Sequence, residues 1–145
     1  MIPNFIDIGS VWEVLPPGIH DATLLELRDR FAMNGRRKTL YEGLLKACEA
    51  LKLAGCQVVY IDGSYTTAKL MPNDIDVCWD PIGVDANKLD PVFLDFSDSR
   101  KAQKLKFGGE FFPSSSKADG IHTFVVYFTT DKETGKEKGI VRIQL

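Results

Sequence analysis

Two aspartates, Asp74 and Asp76, stand two positions apart in the run Asn73-Asp74-Ile75-Asp76-Val77-Cys78-Trp79. Side chains on an extended strand alternate faces, so both carboxylates point the same way with Cα atoms roughly 7 Å apart, while Ile75, Val77 and Trp79 turn into a core. Carboxylates held that close repel each other unless a cation sits between them. Hard oxygen donors of this kind suit Mg²⁺, with Mn²⁺ as the substitute. Upstream, Gly63 lets the backbone approach a ligand closely, and Ser64 offers a hydroxyl and an N–H to a phosphate-sized anion. The bland alternative makes Asp74 a turn residue after Pro72-Asn73 and Asp76 a solvated edge-strand acid, which leaves the Gly-Ser pair unexplained.

The elements that must hold these residues follow from the local pattern. Val58 to Ile61 reads as a strand, Gly63-Ser64 as a tight turn, and Asp74 to Trp79 as a second strand after a short crossing segment. Residues 1–20 are rich in Pro and Gly and read as irregular. Phe5, Ile8, Trp12, Val14 and Leu15 mark them as an arm draped over the domain. Thr23-Leu24-Leu25-Glu26 is a capping box, followed by Leu24, Leu27 and Phe31 at helical spacing. A second helix is expected over Arg37 to Ala54, with Leu40, Leu44, Ala47 and Leu51 on one face and Gly55 as its stop. Beyond the acidic pair, a helix is expected from Ser97 to Lys106 and a short strand at Glu110-Phe111-Phe112. His122 to Thr130 alternates and reads as a strand, and Ile140 to Leu145 as a final strand antiparallel to it. The order implies an α+β (α/β-like) fold: a mixed sheet with helices packed on it.

At 145 residues the chain is expected to form one domain, with an arm over 1–20, helices over 21–54 and a mixed sheet with crossing helices over 57–145. A net charge of −2 argues against a protein that coats nucleic acid electrostatically, though not against one that handles single nucleotides. Cys48, Cys56 and Cys78 form no CxxC pair and are odd in number, which supports neither a disulfide framework nor a zinc site. The first residues lack a basic region followed by an apolar run, and no stretch is long enough to span a bilayer. A cytoplasmic setting with no membrane partner is the expectation.

Asp62-Gly63-Ser64, nine intervening residues, then Asp74-Ile75-Asp76-Val77 resembles the signature of the nucleotidyltransferase superfamily, the polymerase-beta-like fold. Leu15-Pro16-Pro17-Gly18-Ile19-His20, Arg30-Phe31, Arg36-Arg37, Tyr60 to Ser64 and Lys138 to Arg142 are similar to a group of small, largely uncharacterised bacterial proteins of that fold. The resemblance implies a Mg²⁺-dependent transferase that moves an NMP from an NTP, ATP in the first place, to a protein, RNA or small-molecule hydroxyl. Asp74 and Asp76 would ligate the metal, while Gly63 and Ser64 would hold the β- and γ-phosphates. It also implies a third carboxylate on a neighbouring strand, for which Glu110 is the candidate and Asp95 and Asp119 lesser ones.

Lys69 could reach a phosphate from the crossing segment, with Arg36, Arg37, Lys101 and Lys104 adding positive charge, and Tyr65 either stacks on a base or covers the core. His20 and His122 have no Ser, Cys or metal-ligand partner at informative spacing, and a packed or capping role is expected of His122. Larger members carry a helical domain after the sheet. This chain ends on a strand at Leu145, and the expectation is that base and acceptor are selected by the N-terminal helices, by a partner chain, or hardly at all. The alternative is a catalytically weak or inactive binding module, such as a component of a toxin–antitoxin or phage-defence system.

Overall fold

The capping box at Thr23 forms as expected: the Glu26 N–H donates to Thr23 Oγ1 at 3.1 Å, and the Thr23 N–H donates to Glu26 Oε1 at 3.2 Å. It starts helix α1 (Leu24–Phe31), which buries Leu27 and Phe31. Helix α2 (Gly35–Leu53) begins under an Asn34 cap and buries Leu40, Leu44, Ala47 and Leu51 on one stripe. The remaining elements of the computed structural model, which describes all 145 residues, are strands β1 (Gly18–Ala22), β2 (Val58–Asp62), β3 (Ile75–Trp79), β4 (Gly109–Pro113) and β5 (Gly139–Gln144), with helices α3 (Ser97–Phe107) and α4 (Phe124–Phe128). In α3, Asp98, Ser99 and Arg100 have φ of 52°, 54° and 62°, so right-handed helix begins only after Arg100. No helix is long and apolar enough to cross a membrane.

The fold is a mixed α+β arrangement on one five-stranded sheet of order β1-β5-β2-β3-β4. β2 runs antiparallel to both β3 and β5, whereas β1 with β5 and β3 with β4 are parallel. One sheet face carries Val59, Ile61, Val77, Phe111, Val141 and Ile143 into a large core shared with α1, α2 and α3. The other face carries Cys78, Phe112 and Ile140, covered by Phe128 and flanked by Phe124, Val125 and Tyr127 of α4.

Three expectations fail here. Residues 18–22 are not part of an irregular arm; they form the edge strand β1, and the sheet therefore draws on more than residues 57–145. His122 to Thr130 is not a strand. Thr123 caps a short helix, and Phe124 and Phe128, four apart, turn together onto Phe112, whose ring centroid lies 4.2 Å from that of Phe124. The same residues satisfy alternation and an i, i+4 pair, and covering the bare sheet face wins because it buries both rings. Accordingly β5 does not pair with that segment but inserts between β1 and β2. The arm itself is draped as expected: Val14 and Leu15 are buried, and Phe5 packs on Phe31 with Arg30 over its ring.

Candidate functional site

Register decides which side chains meet. Asp62, the last residue of β2, lies opposite Asp76 of β3, and Asp76 lies beside Glu110 of β4. Residues opposed in a ladder point to the same face, so the three acids form a row across three adjacent strands. Asp74, one step before β3, joins the row from the side, and its charge raises the pKa of Asp76. Glu110, the candidate third carboxylate, thus lies on the same face as Asp76.

Asp76 is the common member of this group. Burial, and then the charges of Asp74, Asp62 and Glu110, push its carboxyl up to about 8. Burial pushes Asp62 up to about 6, against the pull of Lys138. Asp62 is 1% exposed and neither of its oxygens has a hydrogen-bond partner; the nearest cation, Lys138 Nζ, is 3.6 Å from Oδ1. Unpartnered buried carboxylate oxygens are costly in a folded protein, and they call for an explanation.

Gly63 is where the turn meets the acids. Its φ is +76°, and a Cβ at this position would lie 2.2 Å from Asp76 Oδ2. Only glycine both adopts this backbone and leaves room for the carboxylate. Asp62, Gly63, Ser64 and Asp76 form one side of a cleft of about 310 Å³. Trp12 of the arm and Tyr127 of α4 stand at its other walls, and Lys132 and Lys138 enter from the hairpin that precedes β5. That hairpin is tied down by Asp131, whose Oδ2 accepts from the Thr134 N–H at 3.0 Å and hydroxyl at 2.7 Å. Ser10 Oγ, 3.2 Å from Asp131 Oδ1, fastens the arm to it.

Of the residues singled out in the sequence, Gly63, Ser64 and Asp76 line the cleft, while Asp74 and Glu110 flank Asp76 outside it. Glu110 is engaged by Arg100 at 3.3 Å and Lys104 at 3.0 Å. Tyr65 does not reach a ligand: its ring is fully buried and its hydroxyl donates to the Arg37 carbonyl at 3.2 Å. Lys69 lies outside the cleft, on the side of Asp74. Arg37 adds no charge to a binding surface. It is buried, and its guanidinium donates to the carbonyls of Phe31, Tyr65, Thr67 and Lys69, which fixes the course of the crossing segment. Arg36 likewise donates to the carbonyls of Pro72 and Asn73, just ahead of Asp74. The lesser carboxylate candidates serve local turns: Asp95 accepts from the Ser97 N–H and hydroxyl, and Asp119 from Ile121, His122 and the His122 ring.

Asp62 and Lys138, quoted in the sequence only as parts of motifs, and Lys132, not singled out at all, also line the cleft. A signal for Asp62 was present. With Val59 and Ile61 facing the core, Tyr60 and Asp62 must share the opposite face, and pairing of β2 with β3 then sets Asp62 against Asp76. The lysines carried no such signal, because their approach depends on the hairpin and β5 returning to β2. No three His, Cys, Asp or Glu side chains converge closely enough to hold a metal ion by themselves.

Residues 9–144 match the model of a family of unknown function, DUF6932. The chain belongs to this family. The DUF6932 match takes in every residue of the cleft, from Ser10 to Lys138. No curated protein and no solved structure matches the chain.

Proposed function

We propose that the cleft binds a metal-bound nucleoside triphosphate and transfers its nucleoside monophosphate to a hydroxyl acceptor, on a polymerase-beta-type nucleotidyltransferase fold. The observation that carries this reading is the contact of Gly63 with the Asp76 carboxylate, beside Ser64. A phosphate-sized turn and Asp76, one acid of the pair at the spacing of the nucleotidyltransferase signature, open on the same cavity, with Asp74 flanking it.

The donor set fits a Mg²⁺ or Mn²⁺ ion. Asp62 keeps two buried oxygens without partners, and Asp76 lies between Asp62 and Asp74, all hard oxygen donors. Asp76 with one of these neighbours would hold the ion; since no three such side chains converge on one point, phosphate oxygens are its natural completion. Bound there, the ion supplies charge neutralisation for the phosphates and the leaving pyrophosphate. The chain's own residues then have separate tasks. Ser64 and the Gly63-Ser64 backbone cradle phosphate oxygens, and Trp12 and Tyr127 wall off the ring of the nucleoside. Asp62, and not Glu110, is the third acid of the site, since Glu110 is held by Arg100 and Lys104.

That engagement of Glu110 also favours a second reading, a module that binds nucleotide without transferring it. Transfer of label from α-labelled NTPs, with Mg²⁺ or Mn²⁺ and with RNA, the protein itself or small polyols as acceptors, separates the two. The expected result is transfer by the native chain and loss by at least about a hundredfold in Asp76→Ala, on the scale of removing a principal electrostatic group from a transition state. Transfer that survives the substitution removes Asp76 from the reaction.

A further inference from the structure

Cations surround the acidic row on two sides, and their partners divide them. Arg36 is committed to the carbonyls of Pro72 and Asn73, and Arg100 and Lys104 to Glu110. Lys132 and Lys138 are different. Both line the cleft and neither ammonium donates a hydrogen bond to the protein: Lys138 Nζ is ion-paired with Asp62 Oδ1 at 3.6 Å with its donors otherwise free, and Lys132 Nζ lies 5.3 Å from the Tyr127 ring centroid. The Lys138 side chain is only 14% exposed. A lysine carries three donors and is seldom buried unless they are used.

The carboxylate beside Lys138, Asp62, is buried, and beyond that ion pair neither of its oxygens accepts a hydrogen bond. The cleft therefore holds unused donors and unused acceptors side by side. A ligand that satisfies both must bring acceptor oxygens and a cation together, as a polyphosphate chelated to a divalent ion does. The other acids on the rim, Asp131 and Glu133, are already engaged by Ser10, Val11 and Thr134. The presenting hairpin is also braced: the Lys138 N–H donates to the Thr129 carbonyl at 2.8 Å, and Lys136 Nζ to the Ile8 carbonyl at 3.0 Å. Both lysines are thus offered from a fixed frame, so less ordering is needed when the ligand arrives.

We propose that Lys132 and Lys138 bind the phosphate oxygens of the nucleotide, the role that its sequence position suggests for Lys69. The assignment rests on the nucleotide reading of the cleft and names the side chains that would make it selective for polyphosphate over nucleoside.

The test is calorimetric titration of the intact chain with inorganic tripolyphosphate in excess Mg²⁺, for the native protein and for Lys132→Met, Lys138→Met, Lys69→Met and Lys138→Arg. Loss of a charge-assisted contact corresponds to about tenfold or more in affinity. Lys132→Met and Lys138→Met should each weaken binding by about that factor, Lys138→Arg should recover part of it, and Lys69→Met should change it least. Melting curves establish that each variant is folded; should Lys138→Met fail to fold, Lys132→Met, at the rim, decides. Failure of the native chain to bind tripolyphosphate, or equal binding by native and both lysine variants, overturns the proposal. Label transfer run in parallel keeps the two readings apart. Transfer with an unchanged KM for NTP in both lysine variants sinks the lysine assignment alone. Lysine-dependent tripolyphosphate binding without transfer keeps the assignment and removes the transferase.

Discussion

Replacing Gly63 by alanine tests the contact on which the site is built. Two costs add. The left-handed backbone at φ +76° disfavours an L side chain by about 1–2 kcal/mol. The new methyl would sit 2.2 Å from Asp76 Oδ2, well inside contact distance, so the carboxylate must swing off its rotamer for roughly another 0.5–1.5 kcal/mol. The sum, about 1.5–3.5 kcal/mol, lowers the melting temperature by roughly 2–4 °C per kcal/mol for a chain of this size. Gly135→Ala supplies the control: its φ is +70°, but nothing lies within 4 Å of the added Cβ, so it carries backbone strain alone. Urea denaturation of Gly63→Ala, Gly135→Ala and each in an Asp76→Ala background isolates the contact. Most of the excess cost at Gly63 should disappear once Asp76 is truncated, because the carboxylate atoms at 2.2 and 2.9 Å are then gone and the Asp76 Cβ, at 3.1 Å, leaves only a mild residual contact. If Gly63→Ala costs no more than Gly135→Ala with Asp76 intact, the glycine does not lean on the carboxylate, and the argument for a shared phosphate–acid site falls with it.

Two further outcomes follow from the buried charges. Asp76 and Asp62 titrate higher in the folded chain, near about 8 and about 6, than the usual carboxylate value, so the folded state binds more protons than the unfolded state across that interval. Their contribution to stability is therefore complete only below the usual carboxylate value of 3.8 and is lost progressively as pH rises through about 6 and on to about 8. Melting curves between pH 4.5 and 9 should show this decline in the native chain, reduced in Asp76→Asn and countered by added Mg²⁺. Parallel curves for both proteins would contradict the burial argument. Arg37→Met should cost on the order of 3–5 kcal/mol in urea denaturation, since it strips a buried cation from four carbonyls, and Arg37→Lys should recover little of it because an ammonium lacks the planar fork. A loss under 1 kcal/mol for Arg37→Met would mean that the crossing segment holds its course without the guanidinium.

What the sequence disclosed was local. The capping box at Thr23, the stripe of α2, and the strand–turn–strand from Val58 to Trp79 are each written within a few residues, and each forms. What escaped depended on distant pairing. β1 is five residues of unremarkable GIHDA whose partner, β5, begins at Gly139, so nothing near Gly18 announces a strand. The segment around Phe124 and Phe128 fits two periodicities, and only the bare face under Phe112 chooses between them. In the site, Asp74, Asp76, Gly63 and Ser64 were legible from type and spacing. Tyr65 was ambiguous because a tyrosine beside a turn serves a core as well as a ligand, and here it serves the core. Lys69 is nearer in sequence to the acids than Lys138, yet Lys138 reaches Asp62 because β5 lies against β2.

Insertion of β5 between β1 and β2 also governs when the protein can acquire its shape during synthesis. As the polypeptide leaves the ribosome, the β2–β3 hairpin and its helices can assemble early, but β1 has no neighbour until residues 139–144 emerge. Lys132 and Lys138 lie on the hairpin that leads into that stretch. Nascent chains halted before Lys132 would thus leave β1 unpaired and one edge of β2 open and would display the acids without those lysines, so the cleft is completed only once the β5 hairpin has emerged.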